Sequence, residues 1–112
     1  MAKKKLKAPP SEYRSADGDV LVLRGSMTVG TRREYAETMG GSPLSQEDAW
    51  HRGVEFLFER LAVSWAVAGT DPLTRQKELL TRFRMASQDE RRWIRDVLRE
   101  HLAEHFPDLQ PP

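Results

Sequence analysis

The fold of this chain is decided by the stretch Ser42–Gly69, which reads SPLSQEDAWHRGVEFLFERLAVSWAVAG. Its large apolar residues recur at spacings of three and four, the repeat of one face of an α-helix. These residues are Trp50, Val54, Leu57, Phe58, Leu61 and Trp65, and the other face carries Glu47, Arg52, Glu55, Glu59 and Arg60. The stretch therefore predicts one amphipathic helix of about six turns, whose apolar stripe must be covered by something.

The size and charge of the chain limit what it can be. Its 112 residues suffice for one domain, and 18 Lys and Arg against 17 Asp and Glu create no net field toward nucleic acid or acidic membranes. A chain without cysteine has no disulfides, thiolate nucleophiles or Cys-based zinc sites, as is common in a reducing compartment. A core of this size often gains stability from a partner or from self-association.

The two ends of the sequence differ from its middle. The basic start MAKKKLK is followed by no apolar run, so it does not predict a signal peptide, and we expect a cytoplasmic protein. Residues 1–12 are predicted to form a flexible basic arm. Residues 107–112, which contain three prolines, are predicted to form a frayed tail. Residues 13–106 then form a single domain rich in helices.

The first part of this domain predicts β structure. Asp17-Gly18 is a strong hairpin signal because glycine tolerates the positive φ of such turns, so residues 13–30 are expected to form a hairpin. The run Val20–Leu23 is apolar at every position. It predicts a strand that is covered on both faces or lies against another chain, which makes it a candidate for homo-oligomerisation.

Capping signals divide the rest of the chain into about four helices. Thr31 and Glu34 predict a capping box for a short helix that ends at Gly40-Gly41. The long helix is expected to begin near Ser42-Pro43 or Ser45. Gly53 in its middle costs about 1 kcal/mol relative to alanine, which predicts a close approach of another element at that point.

Two further helix starts follow the long helix. Asp71-Pro72 predicts one, and Ser87 with Glu90 forms the clearest capping box in the chain. The last helix has an apolar face of Ile94, Val97, Leu98, His101, Leu102 and Phe106. The predicted fold class is therefore α+β and predominantly helical, with an N-terminal β-hairpin followed by a bundle of about four helices.

The sequence offers little catalytic chemistry. His101–His105 matches the H-x-x-E-H pattern of inverted zinc peptidases, in which two histidines share a helix face beside a glutamate base. A third protein ligand would have to follow, and too few residues remain, so we expect a solvated pair near a helix C-terminus. No nucleophile elbow or phosphate loop is present. We expect no catalytic residue, metal or cofactor, and hence no enzyme.

Binding residues are easier to propose than catalytic ones. A partner helix could lie in a groove formed by Leu57, Leu61 and Trp65, while Trp93, beside several arginines, would anchor an interface. The alternative is nucleic-acid binding, because two capped helices in succession can mimic a helix-turn-helix and clustered basic residues release counterions. Its candidate residues are Lys3, Lys4, Lys5, Lys7, Arg91, Arg92, Arg95 and Arg99.

Two stretches also carry a resemblance to a known family. They are Met27–Tyr35 (MTVGTRREY), at the start of the first helix, and Leu61–Leu73 (LAVSWAVAGTDPL), with a tryptophan before a polar turn. This order of elements resembles the tail assembly chaperones of long-tailed phages and prophages. The resemblance implies a non-enzymatic assembly factor in the host cytoplasm. Its partners would be a long helical tape-measure protein and tail-tube subunits.

Overall fold

The structure, a computed structural model, describes residues 8–40 and 46–112. Its elements are β1 (Ser11–Arg14), β2 (Val20–Leu23), α1 (Val29–Gly40), α2 (Gln46–Leu61), β3 (Ala62–Ala66), α3 (Gln76–Arg84) and α4 (Gln88–His105). The predicted α+β, predominantly helical class is confirmed. The helix start expected at Ser42-Pro43 or Ser45 lies outside the described residues, and so do Lys3, Lys4, Lys5 and Lys7.

The three strands form one antiparallel sheet in the order β1-β2-β3. Gly18 has a φ of 91° in the β1–β2 turn, as the Asp17-Gly18 signal predicts. Tyr13 stands opposite Leu21, and Leu21 stands opposite Trp65, on the face that packs against the helices. Because β2 is the central strand, both of its backbone edges are already paired. Val20–Leu23 therefore has no free edge through which to pair with another chain.

The long helix predicted over Ser42–Gly69 ends eight residues early, at Leu61. Residues 62–66 form β3 instead, which pairs with β2 from Ala62 to Ala66. In an extended strand Trp65 still faces the core, so its apolar character is compatible with either a helix or a strand. The backbone pairing with β2 is a long-range interaction, and the helical period contains no sign of it.

The helix start predicted at Asp71-Pro72 is also wrong. Leu73 forms an antiparallel bridge with Trp65, in which each N–H donates to the other residue's carbonyl at 2.9 and 3.0 Å. Gly69, with a φ of 83°, lies between these two residues. The third helix begins only at Gln76, after an N-cap residue, Arg75, whose side chain makes no capping hydrogen bond.

The other helix ends agree better with the sequence. The capping box before α4 is confirmed, because Glu90 N–H donates to Ser87 Oγ at 3.1 Å and Ser87 N–H donates to Glu90 Oε1 at 2.9 Å. At the start of α1, however, the cap is Thr28, whose hydroxyl accepts from Thr31 N–H at 3.0 Å. The capping box predicted at Thr31 and Glu34 is therefore wrong, because α1 already begins at Val29 and Thr31 lies in its first turn.

The core lies between the sheet, α2 and α4. Phe58 stacks on Phe83 of α3 with their ring centroids 4.8 Å apart, and meets the edge of Trp65 at 5.6 Å. The predicted apolar face of the last helix is buried at all six positions. The close approach predicted at Gly53 is confirmed, since a Cβ there would lie 2.5 Å from Met39 Sδ of α1.

The segment after α4 is packed against the domain, contrary to the predicted frayed tail. The Tyr35 hydroxyl of α1 donates to the Gln110 carbonyl. Arg95 and Arg99 of α4 donate to the Pro112 carbonyl at 3.2 and 3.4 Å, and Pro112 is buried. At the other end, Ser11 and Glu12, expected in the arm, belong to β1. Among the described residues, no helix has the length and apolarity needed to cross a bilayer.

Candidate partner-binding surface

Three of the four residues predicted to bind a partner are inside the protein. Leu57, Leu61 and Trp65 are fully buried, so they hold the domain together and offer no groove to another chain. Trp65 Nε1 is buried without a hydrogen-bond partner among the described residues, and the Arg82 guanidinium lies 4.9 Å from the ring centroid. Trp93 is half-buried at the edge of the core. The groove expected from the apolar stripe is therefore filled by this chain itself.

A concave surface that encloses about 820 Å³ follows the side of α2 that carries Glu47, Glu55 and Glu59. We call it the α2 surface. Its lining residues come from all four helices: Thr38 of α1, Glu47, His51, Arg52, Val54, Glu55, Phe56 and Glu59 of α2, Phe83 of α3, and Gln88, Arg91, Arg92 and Arg95 of α4. The partly exposed Phe56 ring makes this surface apolar in places, and charged side chains provide most of the rest.

Charge is distributed unevenly over the α2 surface. Glu47, Glu55 and Glu59 are eight and four residues apart, a spacing that aligns them on one face of α2. Glu55 pairs with Arg84 of α3 at 3.0 Å, and this hydrogen bond raises the pKa of Arg84. The acidic row therefore lies along the helix, and the arginines of α4 stand beside it.

The α4 arginines are held in place by contacts within the chain. Arg91 donates to the Arg84 carbonyl at 3.0 Å, and its guanidinium lies 5.0 Å from the Phe83 ring centroid. Arg95 lies 5.0 Å from the Trp50 ring centroid. Arg92 pairs with Asp89 at 3.2 Å. These contacts orient three positive groups along one side of the α2 surface.

The arginines of α4 are also the candidate residues for nucleic-acid binding. It brings Arg91, Arg92 and Arg95 together, whereas Arg99 donates to the Pro112 carbonyl and is not in the lining of the surface. The acidic row of α2 shares the surface with the three arginines, and carboxylates repel phosphate. The arrangement is suited to a partner that carries both signs of charge.

The two histidines of the H-x-x-E-H pattern do not form a metal site. His101 is fully buried rather than solvated, and its Nε2 lies 2.7 Å from the Arg24 carbonyl. Because a carbonyl can only accept, Nε2 carries the hydrogen, and Nδ1 accepts from the Tyr13 hydroxyl at 2.7 Å. His105 lies 3.1 Å from Ser11 Oγ. Within residues 8–40 and 46–112, no three metal-ligating side chains form a group.

Sequence reasoning missed this link between Tyr13 and His101. Burial is the main cause of the lowered pKa of His101, and it also raises the pKa of Tyr13. The pair connects the first strand to the last helix across 88 positions of sequence. Its only local signals were the inward position of Tyr13 in an alternating strand and the place of His101 on the apolar face of α4.

No family model matches this chain, and no curated protein or solved structure is significantly similar to it.

Proposed function

We propose that this chain is a non-enzymatic protein-interaction module that binds a helical partner along the α2 surface. The observation that carries the proposal is the concave surface of about 820 Å³, lined by side chains of four helices. A helix with its side chains is about 10–12 Å across, and a partner of this shape lying along α2 would follow its acidic row. Phe56 would supply apolar contact.

The charges of the surface specify the partner further. Basic side chains of the partner would face Glu47 and Glu59, and its acidic side chains would face Arg92. Such complementarity contributes mainly to specificity and to the rate of association. A partner helix with opposite charges on its two flanks would therefore bind in one orientation only.

The titratable side chains inside the domain hold distant parts of the chain together. Tyr13 and His101 are hydrogen-bonded to each other, and the Tyr35 hydroxyl donates to the Gln110 carbonyl. Each of these contacts joins distant parts of the chain, which is a structural role. The single proton of each tyrosine hydroxyl is donated to an acceptor within the protein.

Within this proposal, the resemblance to phage tail assembly chaperones indicates which kind of protein the partner would be. It would be a helical protein of the tape-measure type, met in the cytoplasm of the host cell. Support comes from the helical scaffold and from the open α2 surface. The stretch Leu61–Leu73 lends less support, because Trp65 lies in β3 rather than near the end of a helix.

Co-expression with a long helical protein encoded beside this chain tests the proposal. We expect the two proteins to copurify, and the double variant Glu47→Lys with Glu59→Lys to lose the partner. The matched control is Glu37→Lys, which reverses an exposed carboxylate of α1 outside the surface. A complex that survives the double variant, or no complex at all, would contradict the proposal.

Nucleic-acid binding is the second candidate, and Arg91, Arg92 and Arg95 on one side of the α2 surface favour it. Binding of a DNA duplex should then weaken steeply as salt increases. The same double variant distinguishes the candidates, because adding two lysines should strengthen binding to DNA while it weakens binding to a helix with basic residues. Absence of binding at low salt would remove this candidate.

A further inference from the structure

We propose that two copies of this chain pair through the outer edges of their β1 strands. The strands would run antiparallel, with Tyr13 on the two-fold axis, and the two sheets would form one sheet of six strands. This surface is separate from the α2 surface. The proposal therefore does not depend on the function proposed above.

The backbone hydrogen bonds show which groups of β1 point outward. Ser15 N–H donates to the Asp19 carbonyl at 2.9 Å, so these two residues form a hydrogen-bonded pair of the β1–β2 ladder. Such pairs alternate along an antiparallel ladder, which makes Tyr13 with Leu21 the next one. The N–H and C=O groups of Glu12 and Arg14 must then point away from β2.

The opposite edge of the sheet supports this alternation. Trp65, which faces Leu21 across β2 and β3, exchanges its hydrogen bonds with Leu73 instead. Leu21 is therefore free to bond with Tyr13, as the pattern requires. The β3 edge is covered by Leu73 at this point, whereas nothing among the described residues pairs with the outer edge of β1.

The side chains on this edge are complementary in charge to the same side chains of a second copy. Glu12 and Arg14 are both exposed, on the face opposite Tyr13, and form an ion pair of 2.6 Å within the chain. With Tyr13 on the two-fold axis, Glu12 stands opposite Arg14 of the second copy, and Arg14 stands opposite its Glu12. Opposite charges directly across a ladder stabilise pairing. The same two positions supply the free backbone groups, so four backbone hydrogen bonds and two ion pairs can form together.

The length of the edge limits the strength of the dimer. The strand has four residues, and Pro9 and Pro10 precede it. Proline has no N–H to donate and is a common means of protecting an edge strand from extended pairing. We therefore expect a dimer that forms and dissociates with concentration, rather than a permanent one.

Exchange of the two charges gives the main test. Sedimentation velocity over a concentration series should show a dimer for the native chain and roughly tenfold weaker association for Glu12→Arg or Arg14→Glu, which place like charges across the axis. A mixture of the two variants should dimerise again, because the two arginines of one variant then face the two glutamates of the other. The double variant with both changes should also recover. The exposed change Glu37→Arg on α1 is the matched control and should leave association unchanged.

A backbone variant provides the second test. Glu12→Pro removes one outward N–H without touching a hydrogen bond to β2, so it should abolish the dimer and leave the circular dichroism spectrum unchanged. Amide exchange of Glu12 and Arg14 should slow as protein concentration rises. Three results would overturn the proposal: a native chain that stays monomeric at every soluble concentration, a dimer that persists in Glu12→Pro, or charge variants that associate as tightly as the native chain.

Discussion

Tyr13 and His101 tie the first strand to the last helix through one partly buried hydrogen bond. Replacement of Tyr13 by Phe removes the donor and leaves His101 Nδ1 buried without a partner. We expect the free energy of unfolding, measured by urea denaturation, to fall by about 1–3 kcal/mol. The matched control is Ser11→Ala, which removes the partner of the less buried His105 and should cost less. Equal losses in the two variants would contradict this role for the buried pair.

The burial of His101 also makes stability depend on pH. Its folded pKa lies below the ordinary value of 6.5, mainly because burial disfavours the charged form. As pH falls below about 6.5, the unfolded chain takes up a proton that the folded chain does not, so the free energy of unfolding decreases. The hydrogen bond to Arg82 lowers the pKa of Glu90, so this carboxylate contributes a separate loss of stability at pH values below its ordinary pKa of 4.5.

Urea denaturation at several pH values between 4.5 and 6.5 measures the effect of His101 on the free energy of unfolding. His101→Gln removes the titrating group, so the decrease in stability below about pH 6.5 should shrink. The exposed His51→Gln variant of α2 serves as the control and should retain the full decrease. A full decrease in His101→Gln would show that another group is responsible.

At the scale of single elements, the cap of α4 is the clearest target. Ser87→Ala removes the hydroxyl that accepts from Glu90 N–H, and loss of such a cap costs about 1 kcal/mol. Thermal and urea denaturation should both show this loss. Ser26, a partly buried residue outside the helices, offers a comparison in which Ser26→Ala should change stability less. A neutral Ser87→Ala would mean that the capping box does not stabilise α4.

Helix ends and turns could be predicted where the residues that determine them are close together in the sequence. The box at Ser87 and Glu90 lies within four residues, and the hairpin turn at Asp17-Gly18 within two, so the sequence contains all that determines them. The stretch from Leu61 to Leu73 depends instead on β2, about forty residues earlier in the chain. No helical or capping pattern records such a distant partner, and for this reason the helical period of α2 continues through β3.

The candidate site was less predictable than the fold, for a related reason. The stripe with Leu57, Leu61 and Trp65 correctly indicates an apolar face that needs a cover. A periodic pattern does not say whether the cover is the same chain or a partner, and here it is the same chain. The α2 surface was not predicted, because its lining combines residues from four helices that only the folded chain brings together.

For the molecule as a whole, the segment after α4 closes one side of the domain against α1. Tyr35→Phe removes the hydroxyl that donates to the Gln110 carbonyl and should lower the free energy of unfolding by about 1 kcal/mol. Amide exchange in residues 107–112 should become faster in this variant. Unchanged exchange would show that the segment does not depend on Tyr35. Tyr13→Phe, which alters a different contact, is the control for exchange in this segment.

The claim that the α2 surface holds a helical partner is tested most directly by site-specific photo-crosslinking. A benzophenone side chain at His51, an exposed position in the lining of the surface, should crosslink to the long helical protein co-expressed with this chain. The same group at Thr74, an exposed position outside the surface, should not. Crosslinks from Thr74 but not from His51, or from neither position, would contradict the account.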